Sequence, residues 1–436
     1  MSKPVVALIG RQNAGKSTLL NRIAGKQLAI VEDFPGTTRD RILADAVWNG
    51  VDFTIIDTGG LEFTENNSIA RGVRQQAGAA INEADVIIFL TDVKQGLSAV
   101  DLEIASLLRK SGKPVILAVN KVDNARLESE VADFYRLGFG DPFSIASHHG
   151  RGVADLLDKV VETFPPELPG TEKPVEGLKI AIVGHPNVGK SLLLNRLVGK
   201  ERSIVSDIAG TTRDAIDIGF DFNGQNMVLI DTAGIRRRGK VEQGIEWYSV
   251  LRSMRAIDRA DIALLVVDAT EALTAQDAHI GGYIEKAAKG VIILVNKWDL
   301  VTEKNKTTYT DYIREKLKFI GYAPLLFISA KTGQGVSKIM PLVLQLAQER
   351  GIRIPDEEVN SLVMQAVTSH NLPHQGQKIL KVYSARQSSI NPPTFTIEVN
   401  DSRLIHFSYQ RFLENRLREV YKFVGTPIRL VFKAKG

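Results

Sequence analysis

The stretch GHPNVGKS, residues 184–191, repeats in the middle of the chain the pattern of GRQNAGKS, residues 10–17. Each stretch follows an apolar run, VVALI (5–9) or KIAIV (179–183), that has the composition of a buried strand. A GxxxxGK[ST] segment between a strand and a helix is a P-loop, whose backbone amides converge on phosphate groups while the helix N-terminus favours negative charge. The sequence therefore predicts two phosphate-binding loops, the first and the second P-loop.

Three further motifs also occur twice, in the same order. They are GTTRD starting at Gly36 and Gly210, DTGG or DTAG starting at Asp57 and Asp231, and NKVD or NKWD starting at Asn120 and Asn296. The offset is 174 residues for the P-loops and the first two motifs, and 176 for the last. Because four motifs keep their register over about 110 residues, the chain contains one domain design twice.

Each copy alternates short apolar runs with helical stretches, and the runs have the little-interrupted pattern of strands covered on both faces. These runs are VVALI (5–9), FTII (53–56), VIIFL (86–90) and VILAV (115–119) in the first copy, and KIAIV (179–183), MVLI (227–230), IALLVV (262–267) and VIILV (291–295) in the second. Strands that alternate with helices predict an α/β fold in each copy, with a doubly wound, mostly parallel sheet.

Two proline-containing segments divide the chain. PPELPGTEKPVEG has four prolines and mixed charge, which predicts a semi-extended linker, and GIRIPDEE marks a second boundary. Beyond it, KILKVYSA and TFTIEVN have strand character and SYQRFLENRLREVYKFV has helical spacing, which together predict a small α+β domain. The predicted division is a first α/β domain over 1–164, a linker over 165–177, a second α/β domain over 178–350 and the α+β domain over 351–436.

The composition excludes several kinds of protein and site. No apolar run approaches the roughly 18 residues of a membrane span, and MSKP leads directly into a strand without room for a signal peptide, so we expect a cytoplasmic protein. The absence of cysteine excludes disulfides, thiolate metal sites and cysteine nucleophiles. His370 and His374 have metal-ligand spacing, but Pro373 argues against the helix that would align them.

The charge is uneven along the chain. Residues 351–436 carry 12 Lys and Arg against 7 Asp and Glu, whereas the first 350 residues are balanced. A local basic excess favours a polyanionic partner, and a solvated basic face is the alternative.

The P-loop side chains predict how phosphate and metal are bound. Lys16 and Lys190 are expected to reach the β- and γ-phosphate oxygens and to act in catalysis, while Ser17 and Ser191 are expected to bind Mg²⁺. The other loop residues predicted to contact the nucleotide are Gly10, Asn13, Ala14, Gly15 and Thr18 in the first copy and Gly184, Asn187, Val188, Gly189 and Leu192 in the second.

Asp57 and Asp231 end apolar strands, so each lies at the carboxyl edge of a sheet, where it can hold the magnesium ion through water. In the same motifs, Gly60 and Gly234 leave a backbone amide free to sense the γ-phosphate. A single aspartate at the end of a strand is common and can be purely structural. That explanation fits poorly when an aspartate occurs at the matching position of both copies.

The NKVD and NKWD motifs predict which base is bound. An aspartate accepts two hydrogen bonds from N1–H and the exocyclic amine of guanine, whereas adenine presents an acceptor there and is rejected by about 10⁴-fold. Asp123 and Asp299 therefore predict GTP rather than ATP. The residues expected to complete the base sites are Asn120, Lys121, Ala146 and Ser147 in the first copy and Asn296, Lys297, Ser329, Ala330 and Lys331 in the second.

GTTRD lies in a polar stretch that a γ-phosphate can order and hydrolysis can release, which is the physical basis of a switch. We expect Thr38 and Thr212 to reach Mg²⁺ and to act in catalysis, with Thr37 and Thr211 as the alternatives.

The residue after the DxxG glycine, where many such GTPases carry a water-orienting glutamine, is Leu61 in the first copy and Ile235 in the second. Hydrolysis is then slow and partner-stimulated, or another group supplies the missing stabilisation, which elsewhere amounts to about 10³–10⁵-fold. Asn13 and Asn187 can place an oxygen near the β–γ bridge and hold K⁺ there. The alternative is that each asparagine only braces its loop.

These motifs resemble the Der family, also called EngA. The resemblance rests on two copies of NxGKS, GTTRD, DT[AG]G and NKxD, the linker, and a basic tail with PPTF (392–395) and GTPI (425–428), and it covers essentially the whole chain. It implies a bacterial-type GTPase in assembly of the large ribosomal subunit with a KH-like C-terminal domain. It also implies potassium-stimulated hydrolysis and nucleotide-controlled rearrangement of the first GTPase domain against the tail.

The chain departs from the family pattern at Gln12, Ala14 and Leu192, none of which we assign as a phosphate or metal side-chain ligand. The tail has no GxxG loop, so RNA contact of the ordinary KH kind is not implied, and the domain can instead mainly pack against the GTPase modules. The run RRRGK (236–240) in the second switch region can contact RNA or be a solvated loop.

The function expected from the sequence is a monomeric GTPase that converts GTP to GDP and phosphate, uses Mg²⁺ and K⁺, and acts on the large ribosomal subunit and its RNA without a membrane or DNA partner. The alternative is a GTPase partner of an RNA-modifying system, although no nucleophile, flavin site or methyl-donor site lies outside the GTPase motifs. A membrane-remodelling GTPase is a third class, but the chain has no cysteine to lipidate and ends in VFKAKG.

Overall fold

The computed structural model describes residues 3–25, 43–57, 80–164, 177–200, 206–209, 216–232, 246–369, 374–375 and 378–434. They divide into two compact units, Met1–Thr171 and Glu172–Gly436. Of the predicted linker, only Gly177 lies among the described residues.

The described part of the first unit forms one six-stranded sheet with the order β2-β3-β1-β4-β5-β6, in which only the β2–β3 pair is antiparallel. The strands are β1 (Val5–Ile9), β2 (Leu43–Trp48), β3 (Val51–Asp57), β4 (Val86–Asp92), β5 (Val115–Asn120) and β6 (Phe143–Ser144). The helices are α1 (Lys16–Gly25), α2 (Ala99–Ser111), α3 (Ala125–Glu130) and α4 (Val153–Thr163).

The central strands of this sheet are buried on both faces, because every residue of β1 and β4 is apolar or lies in the buried interior. Helices cover the sheet, and side chains of β1, β4, α1 and α4 share one core. This arrangement confirms the predicted α/β class, and it places the carboxyl ends of β1, β3, β4 and β5 at one edge.

The second unit begins with a seven-stranded sheet among its described residues, in the order β13-β12-β11-β7-β10-β9-β8. The strands are β7 (Leu178–Val183), β8 (Ser206–Ala209), β9 (Ile216–Phe222), β10 (Gln225–Ile230), β11 (Ile262–Asp268), β12 (Gly290–Asn296) and β13 (Leu325–Phe327). The helices are α5 (Lys190–Lys200), α6 (Glu246–Arg259), α7 (Ala275–Lys286), α8 (Lys306–Lys316) and α9 (Ile339–Gly351).

The chain then continues into a small α+β domain, as the sequence predicts. Its helices are α10 (Asp356–Ser369) and α11 (Phe407–Tyr421), and its strands are β14 (His374–Gln375), β15 (Lys378–Ile379), β16 (Val382–Ser389), β17 (Thr394–Val399) and β18 (Arg429–Ala434). Strand β17 pairs antiparallel with β16 and parallel with β18, and the two helices pack on this sheet around their own core.

No helix in the described ranges is both long and apolar enough to cross a lipid bilayer.

Candidate nucleotide-binding sites

The backbone of each P-loop curls through positive φ angles. Asn13 and Gly15 have φ values of 62° and 95°, and Asn187 and Gly189 have values of 67° and 98°. A Cβ on Gly15 would lie only 2.3 Å from the side-chain nitrogen of Asn120, and the same clearance applies in the second copy. Glycine is therefore required there both by the dihedral angle and by the close approach of a side chain.

The P-loop lysine is buried and held by the loop itself. The Lys16 ammonium donates hydrogen bonds of 2.8 Å to the backbone oxygens of Gly10 and Arg11. The second P-loop repeats both bonds at 2.6 Å with Lys190, Gly184 and His185. Burial lowers the pKa of Lys16, and the Asp57 carboxylate opposes that shift. Each lysine thus lies within the curl of its loop, where an ammonium can reach phosphate oxygens.

In the first unit, the predicted magnesium ligands lie together. The Ser17 hydroxyl, in the first turn of α1, donates a 2.6 Å hydrogen bond to the carboxylate of Asp57, which is buried at the end of β3. A hydroxyl and a carboxylate at this separation are hard oxygen donors of the kind that Mg²⁺ prefers. The residues present therefore fit a magnesium ion.

In the second unit, Asp231 follows β10 directly and has a positive φ of 54°. Its backbone N–H donates to the carboxylate of Asp217 at 3.0 Å, and Asp217 is in turn paired with Arg259. The predicted carboxylate thus lies at the carboxyl edge of the second sheet, on a backbone held by the buried carboxylate of Asp217.

The remaining predicted phosphate-side residues lie outside the described residues. They are Thr38, Thr212, Gly60 and Gly234, together with the alternatives Thr37 and Thr211, the hydrophobic residues Leu61 and Ile235, and the RRRGK run.

The NKxD asparagine ties the P-loop to the loop on the base side. The Asn120 amide nitrogen donates to the Ala14 carbonyl at 2.8 Å, and its amide oxygen accepts from the Ser147 N–H at 2.9 Å. The same two bonds, at 2.7 and 2.8 Å, are made in the second copy by Asn296, Val188 and Ala330. Both bonds are buried, so the relative position of the two loops is fixed in the same way in each unit.

The NKxD lysine is anchored by a buried aspartate that the sequence motifs did not predict. Lys121, with a φ of 67°, donates to the Asn13 carbonyl at 2.8 Å and to the Asp92 carboxylate at 2.7 Å. In the second copy Lys297 pairs with Asp268. Each aspartate ends the strand next to the P-loop strand. The two are separated by the same offset as the NKxD motifs, and this repetition could have identified them from the sequence.

Two arginines, also missed, hold the base-side loop. Arg22 donates to the backbone oxygens of Ser147 and His148, and Arg196 donates to those of Ala330 and Lys331. Their signal was the repeated LLNR at residues 19–22 and 193–196. The same contacts show that His148 occupies in the first site the place that Lys331 has in the second.

The two aspartates predicted to read the base, Asp123 and Asp299, differ in their neighbours. In the first site, the Lys94 ammonium lies 2.5 Å from the Asp123 carboxylate, and this hydrogen bond is the main cause that lowers the pKa of Asp123. The position of Lys94 is taken in the second unit by Thr270, which instead bonds to Asp268. Within the described ranges, no ion pair reaches Asp299.

Each unit therefore combines a P-loop with a buried lysine, an asparagine tie to the base side, and the aspartate of the predicted guanine-binding motif. This combination defines a P-loop GTPase with two nucleotide-binding domains.

A family model described as 50S ribosome-binding GTPase matches residues 5–121 and 179–297, and a model described as the KH-domain-like C-terminal part of EngA bacterial GTPase enzymes matches residues 353–433. The chain belongs to the Der family of GTPases. Relatives called GTPase Der are 48% identical over 437 residues in Listeria innocua serovar 6a, with 100% of both chains covered, and 50% identical over 447 residues in Chloroflexus aggregans, with 100% of this chain and 99% of the relative covered. Membership makes the chain a GTP-hydrolysing enzyme that uses GTP, GDP and Mg²⁺.

Proposed function

We propose that this GTPase acts as a switch in assembly and maturation of the large ribosomal subunit, and that its nucleotide state rearranges the first GTPase domain against the C-terminal domain. The observation that carries the proposal is the family match, which covers both GTPase domains under a description that names 50S binding and also includes the C-terminal domain. The net positive charge of residues 351–436 supports a ribosomal RNA partner.

In this proposal the two sites work by the same chemistry. The P-loop amides and Lys16 or Lys190 bind the β- and γ-phosphates, while Ser17 with Asp57, and Ser191 with Asp231, hold Mg²⁺. Thr38 and Thr212 would add hydroxyl ligands to that ion when the γ-phosphate is bound, and Gly60 and Gly234 would sense the phosphate through their backbone amides. When bound, the ion would neutralise charge that develops on the phosphate oxygens.

We assign K⁺ binding to Asn13 and Asn187. The backbone of Asn13 is fixed by Lys121, whereas its side chain is exposed and has no hydrogen bond among the described residues, which favours a ligand over a brace. GTP turnover in potassium and in sodium buffer tests this assignment, with faster turnover expected in potassium. Equal rates in the two salts would overturn it.

We propose that the C-terminal domain contacts ribosomal RNA through a basic surface rather than through a GxxG loop. Arg386, Arg411 and Arg429 are exposed on different elements of this domain. The proposal keeps the domain limits 1–164, 178–350 and 351–436 with a linker at 165–177, a monomer as the active form, and a cytoplasmic location.

Co-sedimentation with purified ribosomal subunits tests the function. The chain is expected to sediment with the large subunit in the presence of a non-hydrolysable GTP analogue, and less with GDP or without nucleotide. Binding to transfer RNA alone would favour the RNA-modifying alternative, and binding to liposomes alone would favour a membrane GTPase.

A further inference from the structure

Helix α7 runs from the second P-loop to the junction with the C-terminal domain. It has 12 residues, which corresponds to about 18 Å of helix. Residues outside the helix contact both of its ends, and the two sets of contacts belong to different functional regions.

The N-terminal end of α7 is bonded to the P-loop. Thr274 and Asp277 form a capping box there, and Asp277 is only 1% exposed. The Nδ1 atom of His185 lies 2.8 Å from the Asp277 carboxylate and donates to it, because a carboxylate can only accept. His185 is itself a P-loop residue, and its backbone oxygen accepts the Lys190 ammonium. Asp277 therefore fixes both the first turn of α7 and the P-loop segment that holds Lys190.

An arginine bonds the chain just beyond the C-terminal end of α7. Both terminal nitrogens of the Arg350 guanidinium lie 3.3 Å from the carbonyl oxygen of Ala288, just beyond the helix. The C-terminus of a helix carries partial negative charge, so a cation there is stabilising. Arg350 is only 4% exposed, so solvent screens this contact little.

Arg350 also bonds to the C-terminal domain. Its Nε donates to the side-chain oxygen of Asn391 at 2.8 Å, and the Asn391 N–H donates to the Arg350 carbonyl at 3.0 Å. The guanidinium is thus shared between the end of α7 and the loop between β16 and β17. Loss of Asn391 would leave the buried cation with one partner fewer.

A backbone contact beside Arg350 fixes the same junction. The Gly425 carbonyl accepts from the Val291 N–H at 2.8 Å, and the Gly425 N–H donates to the Tyr322 carbonyl at 3.1 Å. A Cβ on Gly425 would lie 2.5 Å from a methyl carbon of Leu346, at a φ of 63°. The C-terminal domain is therefore seated directly on the start of β12, the strand that ends in Asn296.

We propose that α7 connects the second phosphate site to the C-terminal domain, and that Arg350 and His185 are positioning residues for nucleotide binding at that site. Contact of the C-terminal domain with a ribosomal partner would then change the affinity of the second site through Arg350. The inference rests on the assignment of the second nucleotide site made above.

The first unit provides the matched comparison. There the P-loop residue is Arg11, whose guanidinium lies 3.8 Å from Asp101 in the capping box of α2. Helix α2, however, ends at Gly112 in the left-handed conformation, and within the described ranges no arginine from another element bonds the backbone just beyond it. The first unit shares the N-terminal contact and lacks the C-terminal one.

The test measures binding of fluorescent GDP to the full-length chain with one site silenced. Asp123→Asn removes the guanine acceptor of the first site, so that bound GDP reports the second, and Asp299→Asn does the reverse. Failure of the Asp123→Asn chain to bind GDP would contradict the second nucleotide site itself rather than the connection through α7.

In the Asp123→Asn chain, Arg350→Gln is expected to weaken GDP binding about threefold to tenfold, and Asn391→Ala about twofold. Arg350→Lys should recover part of the loss. In the Asp299→Asn chain, Arg350→Gln should leave the first site unchanged.

The double variant His185→Ala with Arg350→Gln completes a thermodynamic cycle for the two ends of α7. Coupling predicts that the double variant loses less affinity than the product of the two single losses. Arg350→Gln and Asn391→Ala chains that bind GDP at the second site with unaltered affinity would overturn the proposal. Equal weakening at both sites would also overturn it, because the effect would then not pass through α7.

Discussion

The two nucleotide sites share the groups that face phosphate and differ in the residues behind them. Lysine, serine, the asparagine tie and the arginine on the base-side loop recur at matching positions in both units. Among the residue pairs that differ are Arg11 and His185, Thr18 and Leu192, Lys94 and Thr270, and His148 and Lys331. We infer that phosphate chemistry restricts the first set, whereas the second set allows affinity to differ between the two sites.

Base recognition is the clearest difference. Asp123, which we propose as the guanine acceptor of the first site, is paired with the Lys94 ammonium, whereas in the described part of the second site Asp299 has no such ion-pair partner. The Lys94–Asp123 pair is half exposed, so its contribution is small and falls with ionic strength. The two sites should therefore differ modestly in affinity while keeping the same preference for guanine.

The largest expected effect comes from removing one P-loop lysine at a time. Lys16→Ala and Lys190→Ala should each lower GTP turnover at their own site about 10²- to 10³-fold, because each removes a preorganised cation from the transferring phosphate. Single-turnover hydrolysis by each variant measures how much of the GTP turnover comes from the site that keeps its lysine. Full activity in either variant would mean that the altered site contributes nothing to turnover.

The junction behind the second site has no counterpart in the described first unit, and Gly425→Ala tests its strength. The added methyl group meets Leu346 and a carbonyl oxygen at a positive φ, so the free energy of unfolding of the second unit should fall by about 2–3 kcal/mol. Urea unfolding measures this loss. Gly351→Ala is the control, because no atom lies within 4 Å of its Cβ, and it should not destabilise the chain. Equal stabilities for the two variants would contradict the close packing of the C-terminal domain around Gly425.

Both sites contain the asparagine tie, so its removal should weaken GDP binding by the same factor in each. Asn296→Ala leaves a buried N–H and a buried carbonyl unpaired, so GDP binding at the second site should weaken about tenfold, and Asn120→Ala should do the same at the first. Asn305→Ala removes only the N-cap of α8 and should leave GDP affinity unaltered. Calorimetry of the three variants makes the comparison, and a loss at only one site would show that the two ties are not equivalent.

The smallest expected effect is that of Lys94→Thr, which gives the first site the residue of the second. GDP binding at the first site should tighten about twofold to threefold at low salt, because guanine no longer competes with an ammonium group. The Lys94 hydrogen bond lowers the pKa of Asp123, and its removal lets that pKa return toward the ordinary aspartate range, which is still far below neutral pH. Asp123 therefore stays ionised with or without Lys94, and the gain should be constant between pH 6 and 8. Weaker binding would show that Lys94 supports the base instead.

Much of this could be predicted because the chain carries its own repeat. The pattern of apolar residues reflects which residues are buried. It therefore predicts the α/β class, the strands that precede each motif, and the α+β tail. Asp92 and Arg22 also recur in register, so a comparison of the copies beyond the motifs would have found them. Lys94 and Arg350 could not be found in this way, since neither has an equivalent in the other copy and their roles depend on which distant backbone lies beside them.

The central claim is that two guanine-nucleotide sites of the same construction lie in one chain, and isothermal titration calorimetry of the full-length protein tests it most directly. The account predicts two equivalents of GDP, negligible heat with ADP, and one equivalent of GDP after either Asp123→Asn or Asp299→Asn. A stoichiometry of one in the unaltered chain, or ADP binding as tight as GDP, would contradict it.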